Sequence, residues 1–351
     1  MRLAEIRIDP FRVPLAAADA QRTWSERRGL LLTLRDEDGR IGQGEAAPLL
    51  GYSPDTLADC TAALERIVAR GLTEPEDVVA SLRGLEAVPA AAFAVETALL
   101  DLLAQRRSCS LARMLGAPPR EVPLAALIPP TVEAALAARA RGIRAFKVKV
   151  GSSLDELAAL MAIRRELDEA IELRLDANGC WDVAQARAHL ESLVALRPSL
   201  VEDPVPAALW PALGPVPVPL AADEALGTEH ADGVLASPGL RALVLKPARL
   251  GGLHACLRWA KVAADRGFEV VVGHTYDGPV AMAAASALAL ALPRPPLACG
   301  LDRHAALAGW AVSAPQILDD RIIDLDRPGL GLPRLQAPNH RQANGGDFRK
   351  P

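Results

Sequence analysis

Residues 144–151, RAFKVKVG, and 171–179, IELRLDANG, decide the fold. Each is a short apolar run that ends in polar residues and a glycine. Between them Leu154, Leu157, Met161, Ile163 and Leu167 recur at helical spacing, so the stretch reads as strand, turn and helix. The same unit recurs on both sides. VPLAALI at 122–128 precedes it, and SLVEDPV at 199–205, VPLAADEA at 218–225, ALVLKPARLGG at 242–252, FEVVVGHTYDG at 268–278 and PPLACGLD at 295–302 follow. Right-handed crossovers make successive strands parallel. Eight such units predict an α/β fold, a closed (β/α)8-type (TIM-like) barrel over residues 116–309. A doubly wound open sheet is the weaker reading, because no GxGxxG fingerprint follows an early strand.

The flanks have another pattern. IRIDPFRVPL at 6–15 and GLLLTLRDEDGRIGQGEAAP at 29–48 read as strands, with Asp38-Gly39 as a hairpin turn. From Ser53 to Leu115 the pattern is helical, with Ser53-Pro54 expected as cap and first helical residue. Residues 1–115 are therefore expected to form an α+β capping domain, completed by strands from QILDDRIIDLDRPGLGLP, within about 310–335. The tail 336–351, polar and rich in Asn, Gly and Pro, is expected to be disordered.

Composition narrows the function. With 50% hydrophobic and 23% charged residues the chain has material for a core, and 351 residues suggest two domains. A net charge of −4 and 3% aromatics argue against nucleic acid or an anionic membrane as partner, and leave a small-molecule substrate as the expected one. The five cysteines form no CxxC pair, so neither a disulfide framework nor a zinc ribbon is expected. The opening MRLAEIRIDP interleaves charge with apolar residues, unlike a signal peptide, and predicts a cytoplasmic protein. Val280–Leu292 is too short to span a bilayer and reads as a buried alanine-rich helix. A homo-oligomer is compatible with all of this.

In a (β/α)8 barrel the chemistry sits where the strands end. Strand two ends in Lys147-Val148-Lys149, strand three in Asp176, strand four in Glu202-Asp203, strand five in Asp223-Glu224 and strand six in Lys246. One Asp after a strand is usually a helix cap, and one Lys is usually solvated. The grouping by sign is what points to a site. Asp176, Glu202 and Asp223, on neighbouring strands and without His or Cys, suit a hard cation such as Mg2+. Lys149 and Lys246 lie four strands apart in a ring of eight and face one another. Lys147 shares a strand face with Lys149, and this like-charge proximity is expected to lower one of the two pKa values. A neutral lysine can then take a proton from carbon next to a carboxylate while a cation stabilises the enediolate. Arg174, on the face of Asp176, is expected near the site or in a salt bridge inside the barrel. His189, His230, His254 and His340 have no partners at metal-ligand spacing, whereas His274 and His304 follow strands seven and eight and could line the mouth. A non-catalytic metal or carboxylate binding module is the reading from another class. It would need no base.

The segments FKVKVG, RLDANG, VEDP, ADE and LKPARLGG, in this order, resemble the muconate-lactonizing subgroup of the enolase superfamily, over residues 3–334. The resemblance implies Asp176, Glu202 and Asp223 as ligands of Mg2+, for which Mn2+ could substitute. It implies Lys149 and Lys246 as the acid/base pair with Lys147 beside them, and Asn178, Glu224 and Arg174 as supporting residues. GQGEAAPLLGYSPDTL at 42–57, and ACGLD after strand eight, are similar to segments of o-succinylbenzoate synthases. That likeness implies proton abstraction by Lys149 from 2-succinyl-6-hydroxy-2,4-cyclohexadiene-1-carboxylate and loss of water to give 2-succinylbenzoate, a step of menaquinone biosynthesis. Lys246 would stabilise negative charge. Tyr52, Gly273, His274, Thr275, Gly300 and Leu301 are the expected substrate contacts. One departure concerns the substrate: GHTYDG at 273–278 stands where those synthases often carry a serine- and glutamate-rich segment. Dipeptide epimerases, N-acylamino acid racemases and muconate cycloisomerases would use the same rim. Leu15–Gly29, with Arg22, Trp24 and Arg27, and Gly51-Tyr52-Ser53 are expected to form a lid, with an ordinary exposed hairpin loop as the alternative for Leu15–Gly29.

Overall fold

A computed structural model describes residues 1–338 apart from 19–20, 73–74, 168–169 and 313. Of the tail expected to be disordered, 339–351 lie outside the described residues, and 336–338 carry no regular structure.

The first half of the N-terminal region is an antiparallel sheet of β1 (Leu3–Ala18), β2 (Thr23–Asp36) and β3 (Ile41–Ala46). The turn at Asp38-Gly39 joins β2 to β3 as expected, with Gly39 at φ 84°. Gly42 and Gly44 of β3 face the helix Pro89–Arg106, where their backbone meets the carbonyls of Ala98 and Ala94. Two residues along a strand and four along a helix both advance about 6 Å, so the two glycines match two successive turns. The preceding helix, Leu57–Arg70, begins later than Ser53-Pro54. Its cap is Thr56, in a reciprocal capping box with Asp59, while the Ser53 hydroxyl accepts from Leu49 N at 2.8 Å and closes a turn.

The parallel sheet contains β5 (Ala125–Leu127), β6 (Ala145–Lys149), β7 (Glu172–Asp176), β8 (Leu200–Glu202), β9 (Leu220–Ala222), β10 (Leu240–Leu245) and β11 (Glu269–Val272), hydrogen-bonded in chain order. The eighth run, 295–302, closes the ring through single bridges. Leu297 N and Gly300 N donate to Val270 O and Val272 O, each at 2.9 Å, and Cys299 N donates to Pro123 O at 2.8 Å on the other side. Pro295 and Pro296 have no N–H to give, which keeps this run short. The first run is divided: Val122–Pro123, β4, leaves the barrel to pair with β13 (Arg321–Ile322), itself paired with β12 (Ile317–Leu318). Beyond that hairpin the chain returns to the first region, where Leu330 N donates to Asp101 and Leu335 N to Gln43.

The apolar stretch after residue 278 is the helix Pro279–Ala291, buried at every position. Among the described residues no helix is long and apolar enough to cross a membrane. All five cysteines are free thiols.

Candidate active site

Strand register builds the rim. Lys149 pairs with Asp176 across β6 and β7, and Asp176 pairs with Glu202 across β7 and β8, so three ionisable side chains stand side by side at one end of the sheet. Asp223 follows the last residue of β9. It is held there by Asp203, whose carboxylate accepts from the backbone N–H of Asp223 at 3.2 Å and of Glu224 at 2.6 Å. The sequence contained Asp203 next to Glu202, but only the fold shows that it fixes the neighbouring strand end. Asp176, Glu202 and Asp223 are all buried. Asn178 donates its N–H to Asp176 at 3.0 Å and its side-chain amide to Glu224 at 3.0 Å, bridging two of the expected positions.

The lysines are turned onto these carboxylates. Lys147 Nζ lies 2.8 Å from Asp176 and also bonds Glu202, while Lys246 Nζ bonds Asp223 and the Tyr52 hydroxyl. Burial would lower the Lys147 pKa, but Asp176, Glu202 and Asp223 outweigh it and hold the pKa well above the ordinary value. The expected depression by a neighbouring lysine is thus overridden at Lys147, because three buried carboxylates surround its ammonium. Lys246 is raised too: burial is offset first by Asp223. Burial raises Glu202, whereas Lys147 and Lys149 overcome burial at Asp176 and lower it.

Lys147, Lys246, Asp176 and Glu202 line a cavity of about 520 Å³ over the barrel. Lys147, Lys149, Arg174, Asp176, Asn178, Glu202, Lys246, Tyr52, Gly273, His274, Thr275 and Gly300 all reach it. Asp223 and Glu224 do not line it; Asp223 lies behind Lys246 and Tyr52. Leu301 is a correction. Neighbouring residues of an extended segment face opposite sides, so Gly300 and Asp302 reach the cavity while Leu301 is fully buried in the core. Arg174 lines the cavity and pairs with Glu172 at 2.7 Å, a half-exposed carboxylate at the start of β7, not a partner inside the barrel. Its other amino group donates to Ala298 O at 2.6 Å.

The expected lid divides. Leu15, Ala16, Ala17 and Trp24 line the cavity, and Trp24 lies 5.9 Å under the Lys149 ammonium. Arg27 does not reach it. It is buried and donates to Pro48 O at 3.0 Å, Tyr276 O at 3.1 Å and Asp277 at 3.2 Å, tying β2 to the loop after β11. Pro129, Pro130, Arg303 and Ala305 also line the cavity, and no motif in the sequence marked them.

The donor chemistry suits a hard cation. It is all oxygen, buried, and includes Asp223 Oδ1 and Asn178 Oδ1, which have no hydrogen-bond partner. Among the described residues no three His, Cys, Asp or Glu side chains are already gathered in metal-holding geometry; Asp176 and Glu202 are bonded to Lys147, and Asp223 to Lys246.

The family model Enolase C-terminal domain-like matches residues 131–334, and that of the MenC N-terminal domain matches residues 7–102. The L-Lys-D/L-Arg epimerase of Methylococcus capsulatus is 30% identical over 95% of this chain and 99% of its own length. The o-succinylbenzoate synthase of Thermosynechococcus vestitus is 36% identical over 58% of this chain and 61% of its own. A dipeptide epimerase from Methylococcus capsulatus, solved with Mg and the dipeptide L-Arg-D-Lys, superposes with a TM-score of 0.79 at 28% identity, covering 94% of this chain and 99% of that one. Because one model runs through the barrel from before β6 to its end and the other through the antiparallel sheet, this chain belongs to the enolase superfamily.

Proposed function

We propose that the protein removes a proton from carbon next to a carboxylate, and that its reaction is the dehydration of 2-succinyl-6-hydroxy-2,4-cyclohexadiene-1-carboxylate to 2-succinylbenzoate, as in menaquinone biosynthesis. The observation that carries the first part is the rim of Asp176, Glu202 and Asp223 between lysines on β6 and after β10. Asp176, Glu202 and Asp223 would hold Mg2+, which when bound would stabilise negative charge on the substrate carboxylate. Lys149 Nζ takes the proton from the adjacent carbon, and the same group returns it to the departing hydroxide. One C–H and one C–O bond break, water leaves and the ring becomes aromatic. Lys246, on the other side of the ring of strands, keeps its ammonium and faces the developing charge. Asn178, Glu224 and Asp203 hold the carboxylates in place. Residues 1–115 with 310–335 cover the mouth and exclude water through Trp24 and Leu15.

Dipeptide epimerisation is the second reading, favoured by 30% identity to an epimerase along almost the whole chain. It uses the same pair of lysines, one for each face of the α-carbon. Assay of the cyclohexadiene acid beside a set of dipeptides and N-acylamino acids separates the two. Dehydration at the higher kcat/KM supports the synthase, and α-proton exchange in dipeptides without dehydration replaces it. Removal of metal with EDTA should abolish turnover and added Mg2+ should restore it. Full turnover after thorough metal removal would overturn the role given to the carboxylates.

A further inference from the structure

The wall opposite the carboxylates is built by the segments after β11 and after the eighth run. There His274 and His304 stack with ring centroids 4.4 Å apart and planes inclined by 17°, and Tyr276 meets both rings edge-on. Both histidines line the cavity. The Tyr276 N–H donates to His274 Nδ1 at 2.9 Å, so that nitrogen carries the lone pair and the neutral ring has its proton on Nε2. Burial lowers the pKa of both rings, His304 to about 4, so they stand uncharged at neutral pH. An uncharged imidazole with Nδ1 engaged offers one directed N–H donor. The loop that carries it is fixed from behind by Arg27, which bonds Tyr276 O, Thr275 and Asp277.

Charge on the lining points the same way. The described lining residues include Asp176, Glu202 and Asp302 as carboxylates, and each is paired: the first two with Lys147, and Asp302 with Arg141 at 2.5 Å. Lys149, Arg174, Lys246 and Arg303 also line the cavity, Arg174 and Lys246 being paired with Glu172 and Asp223, which do not line it. A substrate end bearing an ammonium meets no unpaired carboxylate among these residues. One bearing oxygen acceptors meets the N–H donor of His274 and, in the same lining, the Arg303 guanidinium.

We propose that His274 is a specificity-determining residue whose Nε2–H donates to a carboxylate or carbonyl oxygen at the end of the substrate remote from the acidic carbon, and that this wall selects acids with such an acceptor over dipeptides with a free amine. The inference rests on the carbon-acid reading of the site. His304 acts as a positioning residue, holding the His274 ring by stacking.

The test pairs two ligands that share an α-carbon and differ at the far end, N-succinyl-L-phenylalanine and L-alanyl-L-phenylalanine. Binding is followed by calorimetry with Mg2+ present, and α-proton exchange by NMR in D2O. The wild type should bind the succinyl acid at least about tenfold more tightly, one bidentate or charge-assisted contact being worth about 1.5–3 kcal/mol. His274→Phe, which keeps the ring stack but has no donor, should bring the two affinities to within about threefold, and His274→Gln, with an N–H near the Nε2 position, should recover part of the preference. In exchange the loss should appear in KM more than in kcat. Equal or tighter binding of the dipeptide by the wild type, no binding of the succinyl acid, or an unchanged ratio in His274→Phe each overturns the inference. Selective binding with no exchange from any ligand leaves the wall standing and overturns the lysine assignment instead.

Discussion

Lys149 stands next to Asp176 in register and faces the cavity; Lys147, two residues earlier on the same strand, lines it too and is bound to Asp176 and Glu202. Lys149→Ala should therefore lower kcat by about 10²–10⁴-fold, the usual worth of a positioned general base. Mg2+ affinity, read by calorimetry, should change little. Unchanged turnover in this variant would falsify the proton-transfer scheme. The residues of the rim were legible because they end apolar runs. Lys147 was legible in position but not in state, since its charge depends on two carboxylates 29 and 55 residues away that only pairing of parallel strands brings to it.

At the scale of elements, the contact between β3 and the helix Pro89–Arg106 is made backbone to backbone. A Cβ on Gly44 would lie 1.8 Å from the Ala94 carbonyl oxygen, which cannot swing aside as a side chain can. Gly44→Ala should destabilise the protein by about 1–3 kcal/mol or more, seen as a lower urea midpoint. Gly39→Ala carries no steric contact within 4 Å but sits at φ 84°, so its cost should be smaller and purely conformational. The comparison of the two midpoints checks that close packing at Gly44, not turn geometry at Gly39, is the stronger constraint on the glycines of the β2–β3 hairpin. Strand existence was read from the sequence for all eight barrel runs. The division of the first run into β4 and β5 was not, because it depends on a partner, β13, about 200 residues further on.

At the scale of the whole molecule, two buried groups of the antiparallel sheet hold it to the barrel. Arg27 pairs with Asp277 in a contact from which solvent is excluded on both sides. Arg27→Met should cost about 3–5 kcal/mol, because Asp277 is left buried and unpaired, and double replacement with Asp277→Leu should recover much of it in urea unfolding. Glu45 accepts from Gly278 N at 2.6 Å and from Ala281 N at 3.4 Å, at the start of the buried helix. Burial, helped by Asp277, pushes its pKa up from 4.5 to about 7, against the pull of Gly278 N–H and Arg27. The folded protein therefore keeps a proton that the unfolded chain releases between pH 4.5 and 7. Stability from this group is full below that window and falls as pH rises through it. His304, lowered to about 4, acts with the opposite sign between 4 and 6.5. The difference between wild type and Glu45→Gln isolates Glu45: the variant should lose the fall in stability between pH 4.5 and 7. An unchanged pH slope counts against a buried, proton-holding Glu45.

The sequence by itself determined the parallel barrel, the rim that carries charge and the sign of that charge on each strand, because strand ends and helix periodicity are local properties written over a few residues. Tertiary structure decided how the charges pair, that Asp203 fixes Asp223, that Arg27 is a strut and not a lid residue, that Leu301 faces the core, and that His274 and His304 stack into a donor-bearing wall. Each of these joins residues that are distant in the chain or turns on which face of an extended segment meets the cavity, and closing the ring of strands is what sets both.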